Sequence, residues 1–155
     1  MSERNRKLEN SKYKEAKASP GFLFWKTFNS WQRLIRESLE PLGLTQVQYS
    51  ILAATSYLES AEHVTQQNVS DQLSMDKMMV SDVVKTLEKR NLLTRKPHPE
   101  DGRAMSLHLT ASAREKLKKA VPAVESADEE FLKKLNTKNR ERFIECLIKL
   151  NPNMS

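Results

Sequence analysis

Lys77, Met78, Ser81 and Lys85 are spaced as one face of a helix, and each carries a side chain suited to the edge of a base pair. Lysine donates to guanine acceptors, serine donates or accepts, and methionine offers an apolar surface to a thymine methyl. Further along, Asp101-Gly102-Arg103 places one arginine beside a sharp turn. A lone arginine at the end of a narrow β-ribbon suits insertion into a minor groove, where the negative potential is enhanced. Asp101 is placed to bond Arg103 or the turn amides and so to aim it. His98 lies in the same turn, where a phosphate contact suits it better than acid–base work.

Nothing comparable supports catalysis or metal binding. His63, His98, His108 and Cys146 lack metal-ligand spacing, and Gly21, Gly43 and Gly102 are too scattered for a phosphate-cradling loop. The carboxylates fall on charged helix faces. No enzyme, cofactor or metal is expected.

Two helices must position the first set. Thr65 precedes a short helix holding Val69 and Leu73, and Asp76 is the expected N-cap of the next, whose inward face reads Val80, Val83, Val84, Leu87. Together, Thr65–Leu73 and Asp76–Arg90 make a helix-turn-helix, whose second helix enters a major groove. Asn91 suits the left-handed residue that closes it. Strands are expected over Leu92–Lys96 and around Met105, Leu107 and Leu109, with Pro97–Arg103 as the turn and Asp-Gly as its hairpin signal.

Helices flank this unit. Ser19-Pro20 starts one, with Phe24, Phe28, Trp31, Ile35 and Leu39 on one face and Pro41 and Gly43 ending it. Thr45 and Gln48 form a capping box for a helix to Leu58, with Ile51, Leu52 and Leu58 inward. Thr110 or Ser112 caps a long helix carrying Leu117, Val121, Val124, Phe131 and Leu135, kinked at Pro122. A last helix starts near Thr137 with Phe143, Ile144, Leu147, Ile148 and Leu150. Cys146, among apolar neighbours, is expected to be a buried, unreactive thiol. The fold class is mainly α with a small β-hairpin.

The chain has 155 residues, 38% hydrophobic and 30% charged, with a net charge of +6. That length supports one domain with a real core, and the basic balance favours an anionic partner, most commonly nucleic acid. A single cysteine excludes an intrachain disulfide and fits a reducing cytoplasm. The Ile51–Leu58 stretch is too short to span a bilayer, so no membrane is expected. Residues 1–19 lack apolar periodicity and read as a flexible basic tail, or a helix ordered only on a partner. Residues 20–155 read as one domain.

Leu87-Glu88-Lys89-Arg90-Asn91-Leu92-Leu93-Thr94-Arg95, then Asp101-Gly102-Arg103, then Leu109-Thr110, resembles the MarR-family signature. The resemblance covers about residues 22–150. It implies a winged helix-turn-helix core over 45–110, flanked by N- and C-terminal dimerisation helices over 20–42 and 111–150. It implies a homodimeric transcriptional regulator, a repressor, acting on a pseudo-palindromic operator in double-stranded DNA and released by a small aromatic or lipophilic effector. On this basis Asp101 and Arg103 are the wing pair, and Lys77, Met78, Ser81 and Lys85 meet DNA. Gln66 and Gln67 donate to phosphate, and Arg95 either contacts DNA or pairs within the wing. Trp25, Phe28, Trp31 and Tyr49 lie where the family's ligand pocket is found; core and dimer packing is the alternative role. Two departures stand out. Asn91 replaces the family's glycine, and Ala104 and Met105 follow Arg103 where more arginine is usual, which reduces the phosphate contacts expected there. The competing reading is a winged-helix protein-interaction module without specific DNA binding.

Overall fold

The computed structural model describes residues 10–59 and 63–151. The chain runs α1 (Pro20–Leu39), α2 (Gln46–Leu58), α3 (Gln66–Leu73), α4 (Lys77–Lys89), β1 (Leu93–Pro97), β2 (Met105–Leu109), α5 (Ala111–Leu132) and α6 (Thr137–Leu150). Mainly helical architecture with one antiparallel hairpin is the arrangement the periodicity predicts. The expected tail is extended or turn-like over its described part, with a short 3-10 turn at Ala16–Ala18; residues 1–9 lie outside the described residues.

Local chemistry accounts for the helix starts. Ser19, Thr45, Thr65, Asp76, Thr110 and Asn136 each accept a backbone N–H from the first turn that follows. Thr45 with Gln48 closes a reciprocal capping box, and Thr65 with Asn68 closes a second one. Ser112 already lies in the first turn of α5, because the helix starts at Ala111 behind the Thr110 cap.

Three helix ends share one device. Gly43, Ser74 and Asn91 are left-handed, with φ of 63°, 50° and 58°. At each, the following amide reaches back past the last turn: Leu44 to Leu39 O, Met75 to Ser70 O and Leu92 to Leu87 O. These are Schellman endings, which satisfy otherwise orphaned carbonyls. Asn91 does here what glycine does in the family signature.

The core gathers Ile35, Leu39, Ile51, Leu52, Val69, Val80, Val84, Leu87, Leu92, Leu93 and Leu107, all at most 1% exposed. Burying each large aliphatic side chain is worth about 1.5–3 kcal/mol, so this cluster holds the helix-turn-helix against α1, α2 and the hairpin. In the α5 face turned inward, Ala113, Leu117, Ala120, Val124 and Ala127 are buried. The small alanines let α1 approach closely, and α1 and α5 form the most extensive helix pair. Leu135 is not on that face, because α5 ends at Leu132.

Three further expectations change. The α1 stripe divides, with Ile35 and Leu39 in the core while Phe24 is 63% exposed. Cys146 is exposed rather than buried, because α6 contributes no buried residue to the protomer. Gly102 does not adopt a left-handed conformation, so the hairpin turn is built without glycine's special freedom. Strand alternation is also incomplete. Ser106 is buried as well as Leu107, because the Val64–Thr65 segment bridges the outer edge of β2 and Val64 O accepts the Leu107 amide at 2.7 Å.

Candidate nucleic-acid interface

Asp76 sets the geometry of α4. Its Oδ1 accepts the amides of Met78 and Met79 at 2.9 and 3.2 Å, which fixes where the helix begins and leaves Lys77 and Met78 on its outer first turn. Met78 is 76% exposed, with its apolar side chain open to a partner. Lys77, Met78 and Lys85 are exposed and Ser81 is half-buried, on the flank of α4 beside the buried row of Val80, Val84 and Leu87. Lys85 ion-pairs with Asp82 at 3.2 Å in an exposed setting, where such a pair is worth little and leaves the ammonium available.

The turn preceding α4 is short and rigid. Ser74 is left-handed, and the Ser70 hydroxyl donates to Met75 O at 2.6 Å. On α3, Gln66 is half-buried, and the exposed Gln67 donates through Nε2 to Asp71 at 2.6 Å. Both glutamines occupy the first turn of α3, behind the Thr65 cap.

Beyond α4 the hairpin pairs Leu93 with Leu109 through to Pro97 with Met105. Its turn is held by side chains. The Asp101 carboxylate accepts the Arg103 amide at 2.9 Å, and His98 Nδ1 accepts the amides of Glu100 and Asp101, both at 3.2 Å. These two contacts occupy Nδ1, so Nε2 is the ring nitrogen that they leave for another partner. The His63 ring meets His98 edge-on at 5.4 Å. Arg103 is exposed at the tip.

Arg95 has a different setting. Its guanidinium grips Glu88 through Nε at 2.9 Å and Nη2 at 2.7 Å. That fork ties β1 to α4, so Arg95 pairs with the recognition helix and not within the wing. Arg90 has a role that its sequence neighbours do not announce. It donates to Gly43 O at 2.6 Å and to Gln48 at 2.8 Å, clamping the end of α4 to the α1–α2 junction.

Trp25, Phe28, Trp31 and Tyr49 are only partly brought together. Phe24 stacks on Phe28 and Phe28 meets Trp31 at a tilt, with centroids 6.2 and 5.8 Å apart. The Trp31 indole donates to Asp128 at 2.7 Å. Burial pushes the Tyr49 hydroxyl above its usual pKa, and the Asp128 and Glu125 carboxylates push in the same direction. Phe28 and Trp31 line an apolar cleft of about 620 Å³ between α1, α5 and α6; Trp25 is 63% exposed and not part of its wall. Among the described residues no group of histidine, cysteine and carboxylate side chains is arranged to hold a metal. Nor is any helix there long and apolar enough to cross a membrane.

A helix-turn-helix with a wing at its side is a fold shared by many regulators, and likeness to known proteins narrows it. The MarR family profile matches residues 44–105, from the start of α2 to the second strand of the wing. The uncharacterized HTH-type transcriptional regulator YdcH of Bacillus subtilis (strain 168) is 39% identical over 123 residues, covering 79% of this chain and 84% of that protein. The chain belongs to the MarR family.

Solved MarR-family structures share its fold. CouR from Rhodococcus jostii RHA1, bound to p-coumaroyl-CoA, superposes with a TM-score of 0.77 at 24% identity, covering 90% of this chain and 95% of that one. A mutant MarR from E. coli in complex with operator DNA superposes with a TM-score of 0.78 at 23% identity, covering 85% and 93%. The winged helix-turn-helix expected from the signature is therefore present, and this MarR-family chain is a transcriptional regulator. The family is one of regulators rather than enzymes.

Proposed function

We propose that this MarR-family protein is a homodimeric repressor that reads a pseudo-palindromic operator and is released by a small lipophilic effector. The observation that carries the reading is the Asp76-capped start of α4, which holds Lys77 and the 76%-exposed Met78 on the outer face of the helix. In this reading Lys77, Met78, Ser81 and Lys85 meet base edges, and Gln66, Gln67 and His98 Nε2 donate to phosphate. Arg103, aimed by Asp101, enters the minor groove. Arg95 contributes by holding the wing on α4 through Glu88. Residues 45–110 form the DNA-binding core, while 20–42 and 111–150 form the dimerisation helices, and the protein works in the cytoplasm.

Dimerisation is supported by the apolar surface that the protomer leaves open. Phe22, Leu23, Phe24 and Trp25 on α1 and Ile144, Leu147, Ile148 and Leu150 on α6 are each at least 40% exposed. Symmetric pairing of these two helices would hide them. Two recognition helices related by a two-fold axis then read half-sites about 10 bp apart.

The test is selection of binding sites from a random duplex pool, followed by salt titrations on the selected site and on random duplex. The expected result is an inverted repeat whose affinity falls steeply with salt through counterion release. Binding without sequence preference, or no binding at all, would favour the protein-interaction module.

A further inference from the structure

The chain crosses between the flanking helices and the winged core twice, at residues 40–45 after α1 and at Thr110 before α5. Both crossings are fastened to the same place, the C-terminal end of α4. At the first, Arg90 donates through Nη2 to Gly43 O at 2.6 Å and through Nη1 to Gln48 Oε1 at 2.8 Å. At the second, the Thr110 hydroxyl donates to Asn91 O at 2.7 Å and its amide to Leu92 O at 3.2 Å. Lys116 of α5 adds a bond to Leu42 O at 2.8 Å. Adjacent carbonyls of one short turn, Leu42 and Gly43, are thus held by a cation from α5 and a cation from α4.

From this convergence we infer that Arg90 is a positioning residue for operator binding. It fixes the angle between the recognition helix and the dimerisation helices, and with it the half-site spacing that the dimer can read. The inference rests on the two-fold dimer of the reading above.

A guanidinium presents its donors in a rigid fork, so two bonds from one side chain fix an orientation as well as a distance. Gln48 Oε1 also accepts the Thr45 amide at 3.2 Å, which makes the clamp continuous with the cap that sets where α2 begins. The α4 helix packs chiefly on α2, α3 and β1, and Arg90 carries it across to the turn that leaves α1. Leverage gives that link its effect. With 13 residues at ~1.5 Å each, α4 is about 20 Å long. A swing of the winged core by about 10° around the clamped end displaces the Lys77 end by roughly 3.5 Å, close to one base-pair step. A direct phosphate contact is the competing role for an exposed arginine, and it predicts a loss that ignores spacing.

The test uses the full chain and four kinds of duplex. These are the inverted repeat selected from a random pool, the same repeat with its half-sites moved by one base pair in either direction, a single half-site, and random DNA. Wild type should bind the selected spacing at least about tenfold tighter than the altered ones, the order of one base pair read out of register. Arg90→Gln should shrink that ratio to about threefold or less, with single half-site and random duplex bound within about twofold of wild type. Arg90→Lys, which keeps one donor in reach of the turn, should hold an intermediate ratio. Lys116→Met, which releases the neighbouring carbonyl from the α5 side, should also shrink the ratio and keeps the test open if Arg90→Gln unfolds in a thermal melt. An unchanged ratio in the folded Gln and Met variants would overturn the inference. So would an equal loss for Arg90→Gln on every duplex, which is the result of a phosphate contact. A wild-type protein indifferent to spacing would remove the dimer reading itself, and the inference with it.

Discussion

Arg95 on the first wing strand and Glu88 on the recognition helix are joined by two contacts of 2.9 and 2.7 Å, a fork-to-carboxylate pair that crosses from β1 to α4. Both side chains are partly shielded, at 35% and 24% exposure. The wing therefore moves with the recognition helix. A double-mutant cycle on Arg95→Ala and Glu88→Ala should give a coupling of about 1 kcal/mol, the upper range for a partly exposed pair with good geometry. Glu88→Ala should also weaken operator binding, although Glu88 is acidic and has no reason to touch DNA. Additive stabilities and unchanged operator affinity would show that the fork does not hold the wing.

The wing tip is separable from the fold. Arg103→Ala should cost about 1–3 kcal/mol of operator affinity per half-site and lower the salt slope by about one per subunit. Its melt should be unchanged, since the tip contributes nothing to the core. Lys77→Ala should instead relax preference at one operator position while leaving random-duplex binding nearly intact. Parallel salt titrations on both duplexes distinguish the two. Wild-type affinity for Arg103→Ala would remove the wing from the interface.

Asn91 carries the Schellman ending of α4 at φ 58°, and its carbonyl also accepts the Thr110 hydroxyl at 2.7 Å. Asn91→Gly should be tolerated, because glycine enters the left-handed region freely. Asn91→Val should lose about 1–2 kcal/mol, since a β-branched side chain there clashes with the backbone. Urea midpoints for the two variants settle the matter, and similar midpoints would mean that the helix end rearranges.

Tyr49 offers a pH test. Its pKa is raised first by burial and then by Asp128 and Glu125. An unfolded tyrosine ionises near pH ~10. Below that, both folded and unfolded chains hold the proton and the stabilising contribution is complete. As pH rises from ~10 through the folded value, the unfolded chain loses its proton first and the contribution is lost. Tyrosinate absorbance should therefore show one of the three tyrosines titrating after the others. Tyr49→Phe should abolish that step, and Asp128→Asn should bring it part of the way back. Three tyrosines ionising together would contradict the burial of this hydroxyl.

Short-range chemistry was legible in the sequence. The caps at Thr45, Asp76 and Thr110, the left-handed Asn91, and the apolar rows of α2 and α4 each depend on residues within a few positions of one another. So did the candidate interface, because a helix face and a hairpin tip are local objects. Tertiary structure decided what joins distant positions: Arg90 to Gly43, Arg95 to Glu88 across the turn, and Trp31 to Asp128, which lie 97 residues apart. It also divided the α1 stripe and left Cys146 exposed. Periodicity shows that a face is apolar but not what covers it. Ile35 and Leu39 are buried where α1 packs on α5 and α2, while α6 buries none of its own residues on the protomer. Which apolar face becomes core depends on how much surface the neighbouring elements bring to it, and that is a property of the assembled chain.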